Sequence, residues 1–205
     1  MVKPWFVRLG VAVAVSSVCA ATSVAQEGME GVTKITNTET SYPNWSPDGK
    51  RIVFHSDRLD NNWEIYIMDA DGSHLERLTH TKADDLTLVW SPDGRHVAYV
   101  EQLSPTQANV NVSNRDGGGA HVVSASMGLN TEPRWSPDGR RIIFTSDQSG
   151  KPELYAVNPD GSGLSKLMDN PPEYSVSSAS WSRDNARILF QMEREGTIDI
   201  YSTAL

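Results

Sequence analysis

The chain has 205 residues, enough for one ordinary domain with a real core, and a formal net charge of −8 from 18 Lys and Arg against 26 Asp and Glu. An acidic balance of this kind argues against nucleic acid as a partner and leaves cations or basic protein surfaces as candidates. The single cysteine, Cys19, excludes an internal disulfide framework.

The first predicted element is an export signal over residues 1–25. Lys3 and Arg8 flank the start of the apolar run LGVAVAVSSVCAA from Leu9, and SVA at Ser23–Ala25 puts small residues at the −3 and −1 positions of a cleavage site. The run falls short of a membrane span. Cleavage after Ala25 would start the mature chain at Gln26, with no cysteine and with 16 Lys and Arg against 26 Asp and Glu. An uncleaved anchor and a lipidated Cys19 are the alternatives, the second disfavoured by Val18 where a small residue is expected.

Residues 26–205 are dominated by one repeated phrase. NWSPDGKRIVFHSD begins at Asn44, and it returns as VWSPDGRHVAYVEQ from Val89, RWSPDGRRIIFTSD from Arg134 and SWSRDNARILFQME from Ser180. Trp45, Trp90, Trp135 and Trp181 are spaced 45, 45 and 46 residues apart, the period of a propeller blade with one four-stranded sheet per repeat. In the first repeat SYPNW reads as an inner strand and SPDG as a tight turn. RIVFHS is the second strand, with Ile52 and Phe54 on one face by the two-residue period. WEIYIMD is the third, ADGS a second turn, and HLERLT the outer strand. Helical periodicity is absent after residue 25, so the fold class is all-β: a β-propeller of about four four-stranded blades.

The two ends of the repeat region complement each other. GVTKITN (Gly31–Asn37) ends like the outer strands LERLTH and LSKLMD, whereas the fourth repeat stops after its third strand. Residues 31–37 are therefore predicted to supply the outer strand of the last blade, built by residues 177–203, for sixteen strands in all; this would leave no unpaired edge there. Three outcomes stay open: a closed four-bladed ring, an arc completed by a second copy as a homo-oligomer, and a piece of a larger ring. The four tryptophans are expected to pack between blades. Asp48, Asp93 and Asp138 need no metal to explain them, because Asp in a Pro-Asp-Gly turn has a backbone reason to be there.

The stretch YPNWSPDGKRIVFHSDRLDNNWEIYIMDADGSHLERLT, Tyr42–Thr79, resembles the WD40-like repeat of the TolB family, the PD40 repeat, and the likeness extends over Gly31–Leu205. Repeat two lacks SD after its second strand, and repeat four has SRDN for SPDG. The resemblance implies a β-propeller, commonly six-bladed, as in the periplasmic TolB protein of the Tol–Pal envelope system and in non-catalytic propellers attached to serine peptidases. TolB's separate N-terminal domain and a hydrolase domain are both missing from this sequence. What the resemblance implies is a non-enzymatic propeller, periplasmic or secreted, that binds a protein or cell-envelope component. The alternative is a carbohydrate-active or carbohydrate-binding propeller.

Strand order puts the uniform SPDG and DADG turns on one face and the variable loops on the other, where recognition usually resides. The candidate binding residues on that face are Asp57, Arg58, Asp84, Asp85, Asn130, Asp147 and Glu193. Asp85 and Asn130 each stand five residues before a Trp, at a channel-mouth position often acidic in this repeat. Ca²⁺ would suit oxygens converging there, although no Asp-x-Asp-x-Asp-Gly loop is present; no other cofactor is expected. The histidines His55, His74, His80, His96 and His121 lack metal-ligand spacing, and there is no Gly-x-Ser-x-Gly elbow or phosphate-cradling glycine loop. His80 with Asp84 and Asp85 is the one loop cluster that reads as acid/base or metal chemistry, and no catalytic residue is assigned.

Overall fold

The computed structural model describes residues 33–59, 61–124 and 128–205. The export signal, the Gln26 start, Gly31, Val32, Asp60 and Ser126 lie outside the described residues.

Four antiparallel sheets follow one another along the chain. Blade 1 contains β1 (Ser41–Trp45), β2 (Arg51–Ser56), β3 (Glu64–Asp69) and β4 (Glu76–Arg77). Blade 2 contains β5 (Asp84–Trp90), β6 (His96–Ser104), β7 (Gln107–Asn114) and β8 (His121–Val122). Blade 3 contains β9 (Asn130–Trp135), β10 (Ile142–Ser146), β11 (Glu153–Val157) and β12 (Ser165–Lys166). Blade 4 contains β13 (Ser175–Trp181), β14 (Arg187–Arg194) and β15 (Thr197–Ala204). No helix among the described residues is long and apolar enough to cross a membrane.

The repeated phrase builds the turn between first and second strands. Gly49 N donates to the Ser46 carbonyl at 2.9 Å. The Ser46 hydroxyl donates to the Asp48 carboxylate at 2.6 Å and accepts from Arg51 N at 2.9 Å. The same bonds recur at Ser91 and Asp93, Ser136 and Asp138, and Ser182 and Asp184. The serine hydroxyl holds the Asp48, Asp138 and Asp184 carboxyls below their ordinary range. The turn's last position is left-handed, with φ of 69° at Gly49 and 70° at Gly139. In the fourth copy Asn185 holds φ 60° there, as asparagine does more readily than other side-chain-bearing residues. These aspartates therefore have the structural role expected of them.

A second repeated feature is not visible in the sequence pattern. Tyr42, Thr87, Glu132 and Ser178, each three residues before its blade's Trp, have φ of 52°, 42°, 55° and 52°. Each inner strand shifts register at this point. A non-glycine residue held left-handed four times over marks a bulge that re-aims the inner strand.

The core is distributed between blades. Trp90, 7% exposed, packs with Val53, Ile65 and Ile67 of blade 1. Trp135 lies against the cluster of Val110, Val112 and Phe144, and Trp181 against that of Ile143, Leu154 and Ile188. Trp45 departs from the expected pattern and is 57% exposed. Trp90, Trp135 and Trp181 each seat on the preceding blade, and the described residues place no blade before the first for Trp45 to meet.

The expected sixteenth strand is also not formed. The fourth sheet has three strands, and Thr33–Asn37 lie outside any strand. Ile35 instead sits beside Gly72 in the β3–β4 turn of blade 1, its carbonyl oxygen 2.9 Å from where a Cβ on that glycine would stand. Leu78, next to the outer strand of blade 1, meets Gly117 of blade 2 in the same way. Ile35 thus stands where a blade preceding the first would place its outer strand, while among the described residues no strand pairs with the second edge of β15.

Candidate binding face

The connections sort onto two faces as strand order requires. On one, the first and second turns of blade 1 meet the first turn of blade 2 around a cleft of about 980 Å³ that includes Pro47, Asp71, Pro92 and Arg115. On the other, loops between second and third strands are tied to the links between blades. Asn62 Nδ2 donates to the Thr81 and Ala83 carbonyls at 3.1 and 2.9 Å. The Asp147 carboxylate accepts from Leu129 N at 2.6 Å, and Lys151 Nζ donates to the Asn170 and Pro171 carbonyls at 2.7 and 2.8 Å. The variable-loop face is a stapled surface rather than a set of free loops.

The predicted binding residues divide by these contacts. Asp57 is half-buried and Glu193 exposed; these two remain surface groups. Asp84 accepts from Trp63 N at 3.0 Å and, like Asp147, orders its loop. Arg58 lies over the Phe54 and Tyr66 rings, 5.3 and 4.5 Å from their centroids, and donates to the Ser56 hydroxyl at 3.2 Å; it covers the outward apolar side of blade 1. Asp85 and Asn130 are fully buried, so the acidic rim is thinner than the sequence suggests. His80 is exposed whereas Asp85 is not.

Two buried carboxylates escaped the sequence reading. Glu64 Oε1 accepts from Asn62 Nδ2 at 2.9 Å and from Arg77 at 2.7 Å, while Oε2 accepts from the Thr79 hydroxyl at 2.5 Å. Glu153 is bonded to Lys166 at 2.8 Å and to the Ser149 hydroxyl at 2.6 Å. Their shared place, the first residue of the third strand in WEIY and PELY, with a basic residue in the outer strand of the same blade, was the available signal.

Around Glu64 lies the most perturbed chemistry of the face. Burial raises the Asp85 carboxyl to about 7, and the Glu64 and Glu101 carboxylates add to the rise. Its Oδ2 accepts from the Thr81 hydroxyl at 3.2 Å. Burial lowers His55 to about 4, outweighing the opposing pull of the Asp85 backbone and the Asp84 carboxylate. At neutral pH this junction of blades 1 and 2 therefore holds an uncharged imidazole and a carboxyl shared between its two protonation states. Among the described residues no three His, Cys, Asp or Glu side chains gather as a metal-holding group.

The TolB beta propeller domain model, PD40, matches residues 22–102 and 59–205. Among solved structures, a protein described as a TolB from Agrobacterium tumefaciens is 21% identical, with a TM-score of 0.68 over 82% of this chain and 65% of that one. TolB from Acinetobacter baumannii is 22% identical, with a TM-score of 0.68 over 82% of this chain and 41% of that one. A Mycobacterium tuberculosis peptidase that hydrolyses puromycin is 19% identical, with a TM-score of 0.65 over 80% of this chain and 29% of that one. This chain thus spans less than two thirds of the length of each, and at these identities the likeness is one of fold. No curated protein matches the sequence. With the repeated Ser-Pro-Asp-Gly turns, the antiparallel blades and the family match in agreement, the chain belongs to the TolB β-propeller (PD40) family.

Proposed function

We propose that the chain is an exported, non-enzymatic binding module that holds a protein or cell-envelope component on its variable-loop face. The observation that carries this reading is the division of labour among the carboxylates. Glu64, Glu153, Asp84 and Asp147 are consumed by internal bonds that stiffen the loops, whereas Asp57, Glu173, Glu193 and Glu195 keep access to solvent. A stiff scaffold with an acidic rim lowers the ordering cost of association and attracts basic surfaces. The Tyr174 ring, with the Arg194 guanidinium 5.7 Å from its centroid, adds an amphipathic patch beside Glu173. Export rests on the residue 1–25 signal, and cleavage before Gln26 is the form to find by N-terminal sequencing.

The test is capture of envelope components on the immobilised chain, followed by association kinetics with whatever is retained. Reversal of Glu193 and Glu195 to Lys should slow association by about tenfold at low salt, with the effect fading as the screening length shrinks below ~10 Å. The control reverses Lys50 and Arg140 on the turn face. Loss of binding in the control alone would move the site to the other face.

A further inference from the structure

Blades 1 to 3 each set a row of polar side chains across their strands near the variable-loop face. Blade 1 pairs Ser56 with Glu64, and blade 3 aligns Asn130, Ser146 and Glu153. In both, the outer strand of the same blade supplies the acid with a cation: Arg77 at 2.7 Å from Glu64, Lys166 at 2.8 Å from Glu153. Both cations hold one register position, opposite Tyr66 and Tyr155. Blade 2 departs from this plan. Its row is Asp85, Glu101 and Asn109, with two carboxylates in place of one, and the outer-strand position that should carry the cation, opposite Asn111, is Val122.

Tyr99, two residues before Glu101 on β6, packs with Val53, Ile65 and Ile67 of blade 1, so the row of blade 2 faces the junction of blades 1 and 2. Arg77 is bonded to Glu64 there. Among the described residues no Lys or Arg pairs with Asp85 or Glu101. Two oxygens of the row are also left without a hydrogen bond. Asp85 is fully buried; its Oδ2 accepts from the Thr81 hydroxyl at 3.2 Å, and its Oδ1 has no partner. Asn109, 8% exposed at the other end of the row, likewise has no partner for Oδ1. Glu101 stands between them, half-buried, with Oε2 accepting from the Asn111 amide at 3.1 Å. Buried acceptors are rarely left unbonded. The rise of the Asp85 carboxyl to about 7 through burial and the nearby Glu64 and Glu101 carboxylates is the response of an acid without a counter-charge.

We propose that this junction holds a Ca²⁺ ion between Asp85 Oδ1, the Glu101 carboxylate and Asn109 Oδ1, in the part that Arg77 and Lys166 play in the neighbouring blades. Side chains opposite one another on adjacent strands have Cβ atoms about 5 Å apart, so an ion above Glu101 with oxygens at about 2.4 Å can be reached from both sides. The donor set is hard oxygen without sulfur or imidazole, which disfavours the softer metals. Ca²⁺ accepts neutral amide oxygens beside carboxylates and completes its shell with water, whereas Mg²⁺ demands a near-octahedral shell. The solvent-facing side of Glu101 is the entry path. Asn130, expected from the sequence to share the Asp85 site, lies one junction further on, where its amide donates to the Ala108 carbonyl.

The test is calorimetric titration of the chelator-treated full chain with Ca²⁺, beside thermal unfolding with and without the ion. A dissociation constant of about 10⁻⁴–10⁻³ M, as in extracellular modules, is expected. At about 10 mM Ca²⁺ the melting temperature should then rise by roughly 3–10 °C over that in chelator. Asp85→Asn and Glu101→Gln, each shown to be folded by circular dichroism, should lose the shift. Val122→Lys, at a position 43% exposed, installs the outer-strand cation of blades 1 and 3. It should raise the melting temperature in chelator and abolish the response to Ca²⁺. A wild-type chain with neither heat of binding nor shift at that concentration overturns the proposal. So does a shift that survives Asp85→Asn and Glu101→Gln, the result expected if the ion only screens the acidic surface.

Discussion

Replacing Asp85 by Asn should change how stability depends on pH while leaving the fold alone. A carboxyl that titrates near 7 when folded and near 3.8 when unfolded binds a proton on folding across that window. Its contribution is fully present below the unfolded value and is lost as pH rises to the folded one, at ~1.4 kcal/mol per pH unit and about 4 kcal/mol in all. His55 works in the opposite direction. Its folded value near 4 lies below the ordinary 6.5, so stability rises by ~1.4 kcal/mol per pH unit between them. From about pH 4 to 6.5 the two slopes cancel, and above that only the Asp85 loss remains. Asp85→Asn removes one of the pair and should expose the rising His55 slope, so that wild type and variant diverge with increasing pH. By pH 8 the variant should be the more stable by up to about 3 kcal/mol, after roughly 1 kcal/mol for altered hydrogen bonding. The chain already carries this side chain at the same repeat position: Asn130 is fully buried and donates to the Ala108 carbonyl at 2.8 Å. Urea unfolding followed by tryptophan fluorescence between about pH 4.5 and 8 measures the difference, because titrations common to both proteins subtract out. Parallel profiles would refute the reasoning, since they would mean that Asp85 has the same charge in the folded and unfolded chain.

Trp90→Ala should cost about 3–5 kcal/mol as a cavity at the junction of blades 1 and 2. Trp45→Ala, removing a side chain that is 57% exposed, should cost roughly a third of that, and equal costs in chemical unfolding would contradict the exposures. Arg77→Leu leaves Glu64 buried without its cation and should cost about 3–5 kcal/mol, whereas adding Glu64→Gln should recover part of it; a double variant no better than the single one would count against that account. Gly117→Ala should destabilise more than Gly49→Ala, because both need a left-handed backbone costing about 1–2 kcal/mol but only at Gly117 does the new methyl run into the Leu78 carbonyl. The order of their melting temperatures decides the point.

Much of the propeller was legible in the sequence because its determinants are local. A Ser-Pro-Asp-Gly turn closes through bonds among six consecutive residues, Ser46 to Arg51, and alternation along Ile52 and Phe54 names a strand face without reference to anything distant. The 45-residue spacing of Trp45 and Trp90 then multiplies one reading along the chain. The substitution of Asn185 for glycine in the worn repeat follows the same local rule.

Whatever depends on two blades meeting was decided only by the tertiary structure. Asp84 and Asp85 are adjacent and chemically identical, yet one caps a loop and the other is sealed within the wall, because strand alternation and the neighbouring blade act differently on successive residues. Glu64 looks like any surface glutamate until Arg77, thirteen residues later, is folded against it. The fates of Trp45 and of Lys34–Asn37 could not be assigned from their residues, because each needs a partner surface whose presence is a matter of arrangement. Sequence specifies what such a surface would have to be; the packing of blade on blade determines whether the chain itself provides it.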